Sequence, residues 1–162
     1  MAAVPERLVV LYHRLESCLN KHISEFCDNG YTDDHENHCA HFVSHIRNYT
    51  FGYNCRTATH GSNEGACLRV HEVFPRCGAV GLFSDRPNNV TDCLAFVTRS
   101  TAVNLATGTM ANIPKKHIGI YNLGYIYHYS NRNHFVIKET PEDFSHHYPG
   151  TGFEVYFGTF PL

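Results

Sequence analysis

Apolar residues recur at steps of three and four along the start of the chain and predict a long N-terminal helix. This helix covers roughly residues 5 to 28, and Asp28-Asn29-Gly30 supplies the turn chemistry that ends it. A polar stretch follows, and a second helix is predicted to open at Asn37 or His38 and to stop at Gly52. The apolar stripe of the first helix consists of Leu8, Leu11, Tyr12, Leu15, Leu19, Ile23 and Phe26.

Beyond residue 92 the pattern changes to short aromatic and β-branched runs split by turn residues, which is typical of strands. Before the last run, Thr140 as N-cap and Pro141 at the first helical position predict a short helix. Residues 52 to 66 read as a surface loop, and residues 67 to 75 as a strand or a short helix. This order predicts an α+β fold, with N-terminal helices packed on a central antiparallel β-sheet. The strands are predicted at 93–98, 117–121, 124–130, 134–139 and 153–160.

Composition and charge exclude several classes of protein. Apolar residues make up 43% of the chain and charged residues 17%, as in a globular domain. A net charge of -2 provides no basic field for phosphates, so no nucleic-acid partner is expected. No apolar run approaches the roughly 20 residues of a transmembrane segment. Pro5, Glu6 and Arg7 come too early for a secretory signal. The chain is therefore expected to be cytoplasmic as synthesised, with export by a signal-independent route left open.

Seven cysteines are many for this length, and one of them has a distinctive position. The odd count allows three disulfides and a free thiol, although the missing signal favours seven reduced thiols. No CxxC pair occurs, which argues against zinc-ribbon and thioredoxin-like sites. Cys39 begins the second predicted helix, where free N–H groups and the helix dipole favour the reactive thiolate. The same N–H groups can stabilise the oxyanion of acyl transfer.

Two histidines on a predicted hairpin could complete such a site. If Asn122-Leu123 is a two-residue turn, His117 lies directly opposite His128, with the β-carbons about 5 Å apart. A three-residue loop would turn one histidine to the other face. One imidazole can take the proton of a thiol while the second fixes its tautomer.

These residues resemble the NlpC family of papain-like cysteine hydrolases, which cleave peptide bonds in bacterial peptidoglycan. The family carries a cysteine at a helix start, commonly in D-C-S-G-F-V, followed by a strand H-[VI]-G-I-Y and a third polar residue on the next strand. This chain has H-C-A-H-F-V at 38–43, H-I-G-I-Y at 117–121 and H-Y-S at 128–130. Residues 50 to 92 lie outside the resemblance and are expected to shape the substrate cleft.

The resemblance implies one cysteine-hydrolase domain over residues 1–162 and an assignment of roles. Cys39 would be the nucleophile, His117 the general base and acid, and His128 the orienting residue. Tyr31 is the candidate for an oxyanion contact, and Asn131 is an alternative orienter. The implied reaction is cleavage of an amide bond, in a peptidoglycan stem or a related peptide, through an acyl-enzyme. No cofactor is implied, and the expected partners are that substrate and, as an open alternative, an inhibitor protein.

Other interpretations of the same residues remain open. "HCAHFVSHIRNY" is also similar to the N-C-E-H-F-V motif of the lecithin–retinol acyltransferase family, where the histidine strand precedes the cysteine, so a lipid acyltransferase or thioesterase is one alternative. His41 and His45, four residues apart on a helix, could chelate zinc with His38 nearby. No H-E-x-x-H motif accompanies them, so a solvent-facing polar surface and no metal is the interpretation adopted. A non-catalytic or zinc-binding papain-like domain is the second alternative.

Overall fold

The computed structural model describes residues 3–162, which form five α-helices and eight β-strands. Six strands make one antiparallel sheet in the order β1-β8-β2-β5-β6-β7, and β3 and β4 form a separate small ladder. The predicted α+β class, with helices and an antiparallel central sheet, is confirmed. The helices are α1 (Glu6–Cys18), α2 (Cys39–Arg47), α3 (Cys55–Thr59), α4 (Val70–Val73) and α5 (Pro141–Ser145). The strands are β1 (Val80–Leu82), β2 (Asp92–Arg99), β3 (Val103–Asn104), β4 (Thr109–Met110), β5 (His117–Asn122), β6 (Tyr125–Ser130), β7 (Phe135–Glu139) and β8 (Phe153–Gly158).

The sheet has apolar residues on both faces, and different helices cover them. On one face, called here the α2 face, residues of α1 and α2 such as Leu15 and Phe42 pack with Ile118 and Tyr127 in the main core. On the other, the α5 face, Phe144 packs with Val97 and Ile126. Burial of aromatic and aliphatic side chains on both faces is the main stabilising term of this architecture.

The first helix is shorter than predicted, because the chain after Cys18 turns to pair with the sheet. The N–H of Asn20 donates to the carbonyl of Val136 at 2.9 Å, and the N–H of Val136 donates to the carbonyl of Lys21 at 3.1 Å. Asn20 takes a left-handed conformation, φ 66°, at this exit. Ile23 stays fully buried, but from a short 3₁₀ turn over Ile23–Glu25. The apolar stripe therefore predicted the burial of Ile23 correctly, although this residue lies beyond the end of the helix.

Loop boundaries differ from the sequence expectation in two more places, and one open alternative is decided. Helix α2 stops at Arg47, because Asn48 adopts a left-handed conformation with φ 61°. The predicted loop at 52–66 contains α3, whose first turn is capped by the Asn54 side chain. The ambiguous segment 67–75 contains the helix α4. The predicted capping of α5 by Thr140 is confirmed, since its side chain accepts from the N–H of Asp143.

The hairpin of β5 and β6 has a different turn from the predicted one. Its two turn residues are Leu123 and Gly124, both with positive φ, 48° and 93°. Asn122 remains inside the strand because its side-chain amide donates to the carbonyl of Leu8 at 3.2 Å. The predicted turn at Asn122-Leu123, and with it the direct opposition of His117 and His128, is wrong. The register moves by two residues, so both histidines keep to one face of the sheet.

Candidate functional site

Two asparagines fix the N-terminus of α2, where Cys39 lies. Asn131, in the turn after β6, accepts a hydrogen bond from the N–H of His38 at 2.9 Å. Asn37 accepts from the N–H of Cys39 at 3.0 Å and from the Asn131 side-chain amide at 3.0 Å. These contacts satisfy helix-start donors that would otherwise lack partners. Asn131 thus positions the cysteine end of the site, and its hydrogen bonds do not reach the imidazole that it was predicted to orient.

The thiol of Cys39 is buried, with only 1% of the residue exposed. Burial raises the pKa of Cys39 to about 11, although the backbone N–H of Ile118, which faces the sulfur, favours the charged form. The thiol is therefore neutral at physiological pH in this conformation. A reaction at Cys39 must remove the proton as the sulfur attacks, since no preformed thiolate is available.

His117 and His128 form a buried, hydrogen-bonded pair on the face of the sheet that they share, although they are not directly opposite each other. The His117 Nε2 and His128 Nδ1 atoms are 2.8 Å apart, and the rings are nearly perpendicular at 89°. Burial, and then the neighbouring His128 and His147, hold the pKa of His117 well below its ordinary value, so His117 is neutral. Among residues 3–162, its Nδ1 atom has no hydrogen-bond partner. Nδ1 is therefore the nitrogen that remains able to accept a proton from another group.

Two further residues, neither of them predicted from the sequence, complete this cluster. The Oε1 atom of Glu139 lies 3.2 Å from His128 Nε2, within ion-pair distance but off the line of a good hydrogen bond. The contact with His128 lowers the pKa of Glu139. The ring of His147 stacks on His117, with centroids 3.9 Å apart and planes 9° apart. Burial lowers the pKa of His147 to about 4.

The signals for these two residues differ. Glu139 could have been predicted from the strand register. His128 pairs with Ile137 across β6 and β7, and Glu139, two residues after Ile137, lies on the same face of the sheet. The hairpin argument that joined His117 to His128 would have found it. His147 lies in an irregular segment after α5, and no periodicity in the sequence places it.

Cys39 and the imidazole pair approach the sheet from different faces. Cys39 belongs to the core on the α2 face, together with Ile118, whereas the rings of His117 and His128 contact Phe144 on the α5 face. His117 is the first residue of β5, and the next residue, Ile118, has its N–H facing the sulfur of Cys39. Tyr148 spans the two groups. Its ring centroid lies 4.6 Å from that of His147, and burial, and then proximity to Cys39, raise the pKa of Tyr148.

Tyr31 lies against another part of α2. Its hydroxyl donates to Oε2 of Glu36 at 2.9 Å, and its ring packs edge-on against His38 and His41. Burial, and then the bond to Glu36, raise the pKa of Tyr31. The hydroxyl is thus engaged with a carboxylate, and the oxyanion role predicted for Tyr31 stays a prediction.

An open cleft of about 330 Å³ lies beside the N-terminus of α2, where Asn37 forms part of its wall. Three cationic side chains, Arg69, Lys115 and Lys116, line it with Tyr148. Lys116 is close enough to Cys39 to favour the thiolate. Residues 68 to 71 form one wall, which agrees with the expectation that the segment 50–92 shapes a cleft.

His38, His41 and His45 do not form a solvent-facing surface, so that expectation is wrong. His38 is 1% exposed and His41 is fully buried. His41 Nδ1 lies 3.0 Å from His38 Nδ1, and its Nε2 lies 3.1 Å from His45 Nε2. The sequence could not show this burial, because the residues that cover the histidines come from distant segments.

The site and fold have no counterpart in the comparisons with known proteins. No protein-family model, no curated protein and no solved structure matches the chain. The structure defines an α+β domain in which a helix-start cysteine packs on one face of the sheet and a buried histidine pair on the other. Within residues 3–162, no helix is both long and apolar enough to cross a membrane.

Proposed function

We propose that this protein is a cysteine hydrolase of the papain-like, NlpC type that cleaves amide bonds. The observation that carries the proposal is the polarity of the histidine pair. Nε2 of His117 is held by His128 at 2.8 Å, and its Nδ1 is left without a partner. Ile118, the next residue in the strand, directs its N–H at the sulfur of Cys39. Nucleophilic catalysis by a thiol needs a base with one nitrogen fixed and the other free to take the proton, and Cys39 contacts the strand residue next to that base.

The reaction starts from a neutral thiol and a neutral imidazole. Sγ of Cys39 attacks the amide carbonyl while its proton passes to His117 Nδ1. That proton then moves to the leaving amine as the C–N bond breaks, which leaves a thioester on Cys39. Water hydrolyses the thioester, again with His117 as base, and releases the carboxylic acid. His128 and Glu139 stabilise the imidazolium that forms in each half-reaction.

Substrate binding has to change two features of the site as it stands in this structure. Nδ1 of His117 and Sγ of Cys39 must come within hydrogen-bond distance, a step that commonly follows binding of substrate. Asn37 must release the N–H of Cys39, which it holds at 3.0 Å, for that group to bind the oxyanion. Asn37 lines the open cleft, so a substrate there contacts the side chain that has to move.

The proposed substrate is a peptide that carries a carboxylate, such as a peptidoglycan stem peptide. The resemblance around Cys39 and His117 suggests the stem peptide, and the positive charge of Arg69, Lys115 and Lys116 in the cleft suits an anionic group. Cationic residues at a cleft raise the local concentration of anionic ligands.

The test compares wild type with Cys39→Ala on purified sacculi and on cross-linked stem peptides, with products identified by mass spectrometry. A matched control is Cys18→Ala, because Cys18 is also a buried cysteine, on α1. We expect wild type and Cys18→Ala to release the same products and Cys39→Ala to release none. Undiminished hydrolysis by Cys39→Ala would exclude the proposal, as would a wild type that cleaves none of these amides.

A metal-dependent site is a second candidate, since one nitrogen from each of His117, His128 and His147 lies within 4.8 Å of the others. The ring geometry opposes it. A ligand nitrogen binds a metal in the plane of its ring, but the rings of His117 and His147 are stacked nearly parallel at 3.9 Å. Activity that survives Cys39→Ala but is lost with a chelator would favour this candidate.

A further inference from the structure

Four metal-ligating side chains, separate from the cysteine–histidine site, converge at α2. We propose that Cys27, His41, His45 and Cys55 form a structural zinc site. One ligand atom from each lies within 4.8 Å of all the others. In tetrahedral zinc with N and S ligands, bond lengths of about 2.0–2.3 Å put the ligand atoms about 3.3–3.8 Å apart. A small contraction around the ion therefore brings the four atoms to that geometry.

The hydrogen bonds of His38 and His41 leave Nε2 of His41 unprotonated, as a metal ligand must be. His38 Nε2 lies 2.8 Å from the carbonyl of Asp33, which can only accept, so Nε2 of His38 carries the proton. His38 Nδ1 is then the acceptor for the N–H at Nδ1 of His41, 3.0 Å away. His41 Nε2 is left with a lone pair, and it lies 3.1 Å from Nε2 of His45, a second member of the group. A carbonyl–imidazole chain that sets the tautomer in this way is typical of metal-bound histidine.

The two sulfur atoms receive N–H groups that suit thiolates. The backbone N–H of Ala66 donates to Sγ of Cys55 at 3.2 Å, and the side-chain amide of Asn29 lies 3.6 Å from the same atom. The backbone N–H groups of Asn29 and Tyr31 face the sulfur of Cys27. Neutral buried thiols are weak acceptors and gain little from such donors, whereas metal-bound thiolates are stabilised by them.

The surroundings indicate a structural ion and not a catalytic one. Cys27, Cys55 and Ala66 are buried together, with Tyr31 and Leu68 packed against them. Four protein ligands in an apolar shell leave no open position for substrate. Two thiolates neutralise a divalent ion, so the occupied site is uncharged. A tetrahedral set of two sulfur and two nitrogen ligands favours zinc among the common divalent metals.

The ion would join three segments that have little regular structure between them. Cys27 follows the 3₁₀ turn at Ile23–Glu25, His41 and His45 belong to α2, and Cys55 begins α3. Cys39 lies on the same helix as the two histidine ligands. The zinc would therefore fix the helix that carries the cysteine, and the site stands whether or not Cys39 is catalytic.

The test measures metal directly in the full-length protein. Wild type is expressed with zinc in the medium, its metal content is measured by mass spectrometry, and the metal-free form is titrated with cobalt. We expect one zinc per chain, and cobalt bands of a tetrahedral site with thiolate charge transfer. Cys55→Ser and His45→Gln should lose the metal, whereas Cys39→Ala and His147→Gln should keep it. Zinc should also raise the unfolding temperature of metal-free wild type.

Several results would overturn the proposal. Wild type that binds neither zinc nor cobalt would overturn it. Cobalt spectra without thiolate charge transfer would also overturn it, and both measurements use wild type, so they do not depend on whether a variant folds. Metal kept by Cys55→Ser but lost by His147→Gln would move the site to the other histidine cluster. An intact protein mass two hydrogens below that of the reduced chain, with Cys27 and Cys55 joined by a disulfide, would show that a covalent bond and not an ion links these residues. None of these results depends on hydrolytic activity.

Discussion

The Nε2 atom of His117 lies 2.8 Å from Nδ1 of His128, and Glu139 Oε1 lies 3.2 Å from the far nitrogen of His128. The three side chains form a row that starts at the unpartnered Nδ1 of His117 and ends at a carboxylate. A positive charge created on His117 is therefore stabilised by a hydrogen-bonded neighbour and, beyond it, by a negative charge. This row has the polarity that the proposed mechanism needs, with His128 between the base and the carboxylate.

Replacing His128 should impair catalysis more than folding. His128→Ala removes the partner that fixes Nε2 of His117, so the imidazole can adopt the unproductive tautomer. We expect kcat for the amide substrates to fall by about 10²- to 10⁴-fold, the usual range for loss of a general acid–base partner. His146→Ala is the matched control, because His146 is exposed on the segment that follows α5. Equal rates for wild type and His128→Ala would remove His128 from the mechanism.

The histidine pair was predictable from sequence because strand alternation depends only on parity. The turn was misplaced, yet the register error of two residues returned His117 and His128 to the same face. The position of Cys39 at a helix start was also predictable, since the polar stretch before it and the apolar positions after it mark the boundary. Both features depend on residues that are close together in the sequence, and such local patterns can be recognised in a single sequence.

The remaining features depend on contacts between distant segments. The first helix ends at Cys18 because Asn20 bonds to Val136 of β7, a partner that no helical periodicity indicates. The burial of His41 depends likewise on the fold, since the cysteines beside it are Cys27 and Cys55. His147 reaches His117 from an irregular segment. Tertiary contacts therefore determine where the first helix ends and which histidines are buried, and local sequence propensity does not indicate either.

Gly119 should be intolerant of a side chain, because the imidazole row needs the space above it. A Cβ at Gly119 would lie 2.6 Å from Cγ2 of Ile126, 2.8 Å from the Tyr127 carbonyl oxygen and 3.1 Å from Cβ of His128. The backbone oxygen cannot move away without disturbing the hairpin. We expect Gly119→Ala to lower the free energy of unfolding by about 1–3 kcal/mol, as overpacking usually does.

Chemical denaturation measures this effect, and Gly78→Ala is its control. An added Cβ at Gly78 would meet only the Thr159 hydroxyl, at 3.1 Å. Gly78→Ala should therefore change stability less than Gly119→Ala. Equal stability of Gly119→Ala and wild type would show that the hairpin relaxes freely at this position.

Asn131 should contribute to stability through the start of α2. Its side chain accepts from the N–H of His38 and donates to Asn37. Asn131→Ala leaves a partly buried helix-start donor unsatisfied, and we expect a loss of about 1 kcal/mol in the free energy of unfolding. Asn131→Asp keeps the acceptor and should lose less. Asn133→Ala, at an exposed position two residues away, is the control. An unchanged unfolding midpoint for Asn131→Ala would mean that water replaces these contacts.

Acid should destabilise the protein through histidines that are buried in the neutral form. Burial lowers the pKa of His147 to about 4 and holds that of His117 well below its usual value. Above about pH 7.5 these residues are neutral in the folded and the unfolded chain alike, so stability does not depend on their titration. Below that pH the unfolded chain takes up protons that the folded chain excludes, so the free energy of unfolding falls toward the folded pKa.

The contribution of His147 can be isolated by comparing two pH values. At about pH 5 the linkage amounts to about 2 kcal/mol for a fully buried histidine, and solvent screening reduces it to about 1 kcal/mol for the half-buried His147. The loss of stability between about pH 7.5 and pH 5 should therefore be smaller by about 1 kcal/mol in His147→Gln than in wild type. Buried histidines that His147 does not contact, such as His41, are present in both proteins and cancel in the comparison. His13→Gln, at an exposed position on α1, should show the same loss as wild type. If His147→Gln loses as much stability as wild type, His147 is solvated in the folded protein, and its stacking on His117 does not persist in solution.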